Sequence, residues 1–251
     1  MIQVEPVGEV AVIRLDRADK RNAMTPKMLA NLVSAFDTAL SARAIVLSGV
    51  GEVFCAGFDL TLCRDDDNVL GDLLTGLSKA VRVIRTAPCP VIVSAHGAAI
   101  AGGCALVAAG DLAVTDVNAK LGYPVLRLGI SPGVNAPALR ATIGDAATRA
   151  RMLEPVTIGG AEALRIGLVY ECAATPRECE ARAIAIAQEL ANKPRHALGY
   201  TKRWLGELDR STHIQQSEHA LAVSMNLVGS QEQQDRLAEL WRSADAKAKK
   251  P

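Results

Sequence analysis

The sequence predicts an α/β fold. Short apolar runs with strand character alternate with segments whose apolar residues recur at helical spacing, which is the pattern of stacked strand-and-helix units. After Glu178 the strand-like runs stop and only helical periodicity remains. With 251 residues and 49% apolar content the chain can bury a substantial core, either as one large domain or as a domain with a small appendage.

The elements follow in order. Residues 10–15, Val-Ala-Val-Ile-Arg-Leu, read as a strand, and Arg17 to Ala23 as a charged turn. Thr25-Pro26 is a helix start, because proline at the first helical position gives up an N–H that has no partner there. Leu29, Leu32, Val33, Phe36 and Leu40 then place one buried face on a helix over 26–40. A short strand is predicted over 44–47, followed by a glycine-rich loop. A helix over 69–85 comes next, with Leu70, Leu73, Leu74, Leu77, Val81 and Ile84 on one face and Pro88 and Pro90 beyond its end. Residues 91–93 form a third strand, and the small-residue run from Gly97 to Gly110 suits a tightly packed helix. Strands are expected at 112–114 and 168–170, and helices at 145–153 and 160–166. Helices over 178–191, 196–208, 211–228 and 231–243 make the last quarter a helical appendage, dividing the chain into a core over 1–190 and an oligomerisation region over 191–251. The terminal Ala-Lys-Ala-Lys-Lys-Pro reads as a solvated, frayed end.

Composition narrows the function. The net charge is +1 with acidic and basic residues interspersed, so no global field points to nucleic acid or an anionic membrane. Scarce aromatics give no stacking platform for bases. No 18-residue apolar run suggests a membrane span, and residues 1–5, Met-Ile-Gln-Val-Glu, do not open a secretory leader, so a cytoplasmic protein is expected. The six cysteines form no CxxC pair and have no histidine at zinc-ligand spacing; they read as reduced thiols, with no metal site.

Two glycine-rich loops carry the chemistry. The first runs from Gly49 through Phe54-Cys55-Ala56-Gly57-Phe58-Asp59-Leu60, from a strand end toward a helix. The second, Gly97 through Gly102-Gly103-Cys104-Ala105-Leu106, precedes a helix whose N-terminal amides present positive polarity. Small residues let a ligand approach the backbone, and two such loops can converge on one oxyanion. Neither has the glycine pattern and downstream acid of a dinucleotide site, and no GxxxxGK[ST] or GxSxG motif is present.

These loops resemble the crotonase, or enoyl-CoA hydratase/isomerase, superfamily over nearly the whole chain. The resemblance rests on Asp16 to Met24, on Phe54 to Leu60, on Gly97 to Leu106 with Asp111 beyond, and on Leu121-Gly122-Tyr123-Pro124 through Gly129-Ile130-Ser131-Pro132-Gly133. It implies a spiral of repeated β-β-α turns with a C-terminal helical region that packs subunits into a trimer or a dimer of trimers. It further implies an acyl-CoA thioester as substrate, with coenzyme A as part of that substrate and no permanently bound cofactor. The backbone amides of Phe58 and Gly102 would bind the thioester oxygen. Lys20, Arg21 and Ala23, with Ala56, Asp59, Leu60 and Thr61 of the facing loop, would receive the coenzyme A arm.

The chain departs from the family at two positions. A hydratase of this kind carries glutamates where this sequence has Ala105 and Val125, and neither side chain can exchange a proton. Tyr123, Asn135, Asp59 and the run Asp65 to Asp67 are the candidate substitutes. Each also has a plain structural reading: Tyr123 as a packing residue, Asn135 as the cap of a helix starting at Ala136-Pro137, Asp59 as a loop-orienting or capping residue, and the aspartate run as a solvated turn. His96, before Gly97, reads as a hydrogen-bonded structural residue. Three functions stay open: an atypical hydratase or isomerase, an acyl-CoA decarboxylase, or an acyl-CoA binding protein without catalysis.

Overall fold

The structure is a computed structural model that describes residues 1–66 and 68–248. A six-stranded sheet forms its centre. The strands β1 (Ile2–Val7), β2 (Val10–Leu15), β3 (Ala44–Gly49), β4 (Val91–Ser94), β6 (Leu112–Asp116) and β9 (Glu171–Ala173) lie side by side in that order. β1 runs antiparallel to β2 and the remaining neighbours are parallel. A second sheet of three strands, β5 (Ala98–Ile100), β7 (Lys120–Gly122) and β8 (Thr157–Ile158), stands beside the first.

Both faces of the large sheet are covered, and the sequence shows why. Along β2 every residue but Arg14 is buried, and successive side chains point to opposite faces. Ala11, Ile13 and Leu15 join a core made with the helices α1 (Pro26–Thr38), α2 (Asn68–Thr86) and α3 (Gly102–Ala109). Val10 and Val12, with Ala44, Val46, Ile92 and Val114, face Cys179, Ala183, Ile186 and Ala187 on the other side. The latter four belong to α6 (Pro176–Ala191), which therefore packs on the sheet and is no appendage. Thr25 caps α1, accepting the Met28 amide at 3.1 Å.

Several sequence expectations need correction. The run from Gly97 to Gly110 is not one helix. Its first part is β5, which pairs with β7, and α3 begins only at Gly102. The strand expected at 168–170 lies at β9, three residues on; residues 168–170 instead lead out of α5 (Gly160–Arg165). The helix expected at 145–153 is the second half of α4 (Ala136–Leu153), which breaks at Gly144 with φ 76° and ψ 171°. β1, β7 and β8 have no apolar run long enough to read as strands.

Beyond α6 follow α7 (Arg195–Leu208), α8 (Ile214–Met225) and α9 (Gln231–Ala248). Lys202 fastens α7 to the body: its ammonium donates to the carbonyls of Ile84 (3.1 Å) and Cys89 (3.0 Å) and pairs with Asp111 at 2.7 Å. α9 returns to the first glycine-rich loop, where the Trp241 indole N–H donates to the Leu60 carbonyl at 3.2 Å. Among the described residues no helix is long and apolar enough to cross a membrane. The expected frayed end, in its last residues 249–251, lies outside the described residues.

Candidate functional site

The site is built from three loops at the ends of β2, β3 and β4. The first turns through a single 3-10 turn, Ala18–Lys20, and then through Arg21 and Asn22, both in the left-handed region at φ 51° and 53°. Asn22 tolerates that backbone and organises the turn around itself. It is fully buried. Its Oδ1 accepts the Arg17 amide at 2.8 Å, and its Nδ2 donates to the carbonyls of Val50 and Val53, each at 2.9 Å.

The second loop is thereby laid against the first. Ala56 N–H donates to Arg21 O (3.0 Å), Met24 N–H to Gly57 O (2.7 Å) and Asp59 N–H to Met24 O (2.9 Å). The Arg17 guanidinium adds side-chain ties to Ala23 O (2.9 Å) and Asp59 Oδ2 (2.7 Å). Burial would raise the Asp59 carboxyl, but the Thr61 hydroxyl and amide and the Arg17 guanidinium outweigh it and hold the group below its ordinary value. Asp59 caps the following 3-10 turn, Leu60–Arg64, with its Oδ1 accepting from Thr61.

The third loop is stitched to the second by Phe54 N–H to His96 O (2.9 Å), Cys55 N–H to Ala98 O (3.0 Å) and Ile100 N–H to Cys55 O (3.0 Å). Gly57, at φ +95°, takes a backbone that strains any residue with a side chain, and a Cβ there would crowd Ile100 O at 3.0 Å. Ala101 has φ 52° and ψ −111°, rare for a residue with a side chain, and Gly122 O holds its amide at 2.7 Å. The next residue, Gly102, opens α3. Neither Phe58 N–H nor Gly102 N–H donates to a backbone carbonyl among the described residues.

Both residues line one cavity of about 120 Å³. Its walls are carbon-rich, drawn from Leu74 and Leu77 of α2, Phe58, Leu60, Ile100, Val125, Leu128, Ile130 and Val134. Of the residues singled out in the sequence, the fold brings Ala56, Phe58, Leu60, Gly102, Ala105, Tyr123, Val125 and Asn135 to this cavity. Lys20, Arg21, Ala23, Asp59 and Thr61 do not line it; Lys20 and Arg21 are exposed on the first loop. Among the described residues no carboxylate lines the cavity, and no group of His, Cys, Asp and Glu could hold a metal ion.

The polar members of the wall are Tyr123, Asn135 and Ser131. Tyr123 is buried, with its hydroxyl accepting the Asn135 Nδ2 at 2.6 Å and lying in hydrogen-bond contact with the Cys104 thiol. Burial and that neighbour push the phenol well above its usual range, so it remains protonated. Burial likewise pushes Cys104 and Cys55 up to about 12, which makes both inert thiols. Asn135 stands at the cap position of α4 but makes no capping bond. Its backbone is already helical (φ −95°, ψ −5°), unlike the extended cap conformation, and its amide nitrogen turns to Tyr123. His96 is buried against Gly51 O, 3.1 Å from its Nε2. Asp65 and Asp66 are exposed, Asp66 accepting the Asn68 amide at 2.9 Å; Asp67 lies outside the described residues.

Arg17 and Asn22 hold the loops together, and sequence reasoning assigned neither a role. The only signal was their place in a charged turn; the left-handed backbone that gives Asn22 its reach is not written in residue type.

The model of the enoyl-CoA hydratase/isomerase family matches residues 5–241. A Thermus thermophilus member of the group is 32% identical over 82% of this chain and 83% of its own length. The short-chain-enoyl-CoA hydratase of Clostridium acetobutylicum is 30% identical over 76% of this chain and 73% of its own. A Mycobacterium smegmatis enoyl-CoA hydratase crystal structure superposes with a TM-score of 0.77 at 27% identity, covering 96% of each chain. An enoyl-CoA hydratase/isomerase structure from Xanthobacter autotrophicus Py2 shares the fold, with a TM-score of 0.85 at 24% identity over 98% of this chain and 97% of that one. The crotonase-type architecture expected from the sequence is the one observed.

Proposed function

Because the chain belongs to the enoyl-CoA hydratase/isomerase family, we propose that it is an enzyme acting on an acyl-CoA thioester, whose carbonyl oxygen it holds between the amides of Phe58 and Gly102. The observation that carries this reading is the pair of unused amides on one apolar cavity. Gly102 N–H also lies at the positive end of α3, where negative charge is favoured. Chemistry next to a thioester builds an enolate oxygen, and losing one fixed donor to such an oxyanion typically costs about 2.7–4 kcal/mol of transition-state stabilisation. The small cavity suits a short acyl group, since drug-sized ligands occupy roughly 300–1,000 Å³. Lys20 and Arg21, exposed beside the Ala56 loop, supply charge-assisted contacts to the phosphates of coenzyme A.

The proton chemistry departs from the family's ordinary hydration. Ala105 and Val125 occupy the positions of the two expected glutamates, and among the described residues the wall around them holds no carboxylate. A reaction that reaches the enolate without a base fits this wall: a malonyl-type thioester loses carbon dioxide and leaves its bonding electrons on the thioester oxygen. The protonated phenol of Tyr123, the amide of Asn135 and the hydroxyl of Ser131 are the polar side chains that the described wall offers such a reaction. Hydration of crotonyl-CoA is expected to be slow. Turnover of crotonyl-CoA and of malonyl-type thioesters, measured beside calorimetric binding, tests the enzyme reading. Tight binding with no turnover of any thioester would sink it and favour the second reading, an acyl-CoA binding protein, which the missing carboxylates support. On whatever turnover is found, Tyr123→Phe and Asn135→Ala are expected to lower kcat; unchanged rates would exclude both as participants.

We also propose self-association as a trimer or dimer of trimers through the C-terminal helices. Tyr200, Trp204, Leu205 and Leu208 form an apolar stripe on α7, between 54% and 65% exposed. Such a patch on a free surface marks a contact.

A further inference from the structure

One wall of the cavity is held in place by a helix that does not touch the cavity. Ser131, Pro132 and Val134 line it, in a turn that carries the chain from the 3-10 turn Pro124–Leu128 into α4. Two backbone groups of that turn find their partner on α8. Ser224, 1% exposed, accepts the Val134 amide at 3.1 Å with its Oγ and donates the same hydroxyl to Ser131 O at 3.1 Å. The approach is close: a Cβ at Gly133 would stand 3.0 Å from Ser224 Oγ and 3.3 Å from Val223 Cγ1. Neither Ser224 nor Val223 is among the lining residues, so α8 backs the wall from outside. Buried backbone groups are nearly always paired, and here one hydroxyl meets both an N–H and a C=O, so its loss strands two groups at once.

We infer that Ser224 is a positioning residue that sets chain-length selectivity: through the turn 131–134 it fixes the depth of the cavity and so the longest acyl group the protein accepts. The inference rests on the acyl-CoA reading and names the residue that sets selectivity within it. A fixed wall excludes added methylenes, because overfilling a packed apolar space forces side chains and backbone to shift. A wall released from α8 yields to them. Ser224 touches no substrate in this account; it acts only through the turn it holds, as the supporting residues of a precise site do.

The test is calorimetric titration of the full chain with butyryl-CoA and octanoyl-CoA. The wild type is expected to bind butyryl-CoA about tenfold or more tighter than octanoyl-CoA. In Ser224→Ala that preference should shrink by about fivefold or more, as the freed turn admits the longer chain. A serine with a merely structural role would lower the urea midpoint and leave the ratio of the two affinities where it was, so the ratio is the readout. Gly133→Ala probes the same contact from the other side and decides the matter should Ser224→Ala not fold. Its methyl crowds Ser224 and presses the turn toward the cavity, which should raise the preference by about threefold or more. A preference unchanged in Ser224→Ala, or in Gly133→Ala where that is the variant that folds, overturns the inference and leaves the acyl-CoA reading standing. Equal binding of the two thioesters by the wild type overturns it in the same way. If neither thioester binds, the acyl-CoA reading falls and takes the inference with it.

Discussion

Asp59 shows how a residue beside the cavity can matter without facing it. Its carboxylate ties the Arg17 loop to the Phe58 loop, and its folded-state pKa lies below the ordinary value because Thr61 and Arg17 outweigh the cost of burial. A carboxyl with a depressed folded pKa contributes its stability in full above the unfolded value of about 3.9 and loses it as the pH falls below that toward the folded value. Asp59→Asn is therefore expected to unfold at lower urea than wild type at pH 7, with the gap narrowing at pH 3; a gap that does not change with pH would remove the ion pair from the account. Sequence reasoning could read Asp59 as a loop-orienting or capping residue, and its bonds to Thr61 make it the cap of the next turn. It could not see Arg17, whose partner lies 42 positions away. The Asn135–Tyr123 bond was hidden for a related reason: Asn135 stands before Ala136-Pro137, which reads as a helix start, and only the folded path of residues 124–135 turns its amide away from the helix.

At the scale of elements, α3 carries the most weight. Apolar periodicity made α1 and α2 legible, since each shows one clear stripe. α3 has no stripe; all of its residues from Gly102 to Ala109 are buried, so small-residue composition alone could not separate it from β5. The division falls at Ala101, whose strained backbone turns the chain from strand to helix and ends on the Gly102 amide. Strain of this kind costs on the order of 1–3 kcal/mol, and a β-branched residue tolerates it worst. Ala101→Val is expected to lower stability by about that amount in chemical denaturation and to weaken acyl-CoA binding, whereas Ala101→Gly should keep both near wild type. Equal losses in the two variants would mean that the backbone conformation at Ala101 is not what positions the amide. β7 and β8 were illegible because strands of three and two residues carry too little pattern.

For the whole molecule, the alternation of strand and helix was enough to place the chain in the α/β class, and the order of four sequence blocks was enough to anticipate its architecture. The docking of α6 was not anticipated, because a helix that covers a sheet and one that covers another subunit show the same stripe. The apolar stripe of α7 leads to a prediction at this scale: light scattering should give three or six times the 26.4 kDa chain mass, and Trp204→Glu should reduce it. A wild-type monomer would contradict the proposed assembly. The central claim concerns the two amides, and a crystal structure of the protein with an acyl-CoA bound tests it most directly. The account predicts the thioester oxygen about 2.7–3.1 Å from both Phe58 N and Gly102 N, with the acyl group in the cavity beside Asn135. An acyl-CoA seated elsewhere, or a thioester oxygen turned away from either amide, would contradict it.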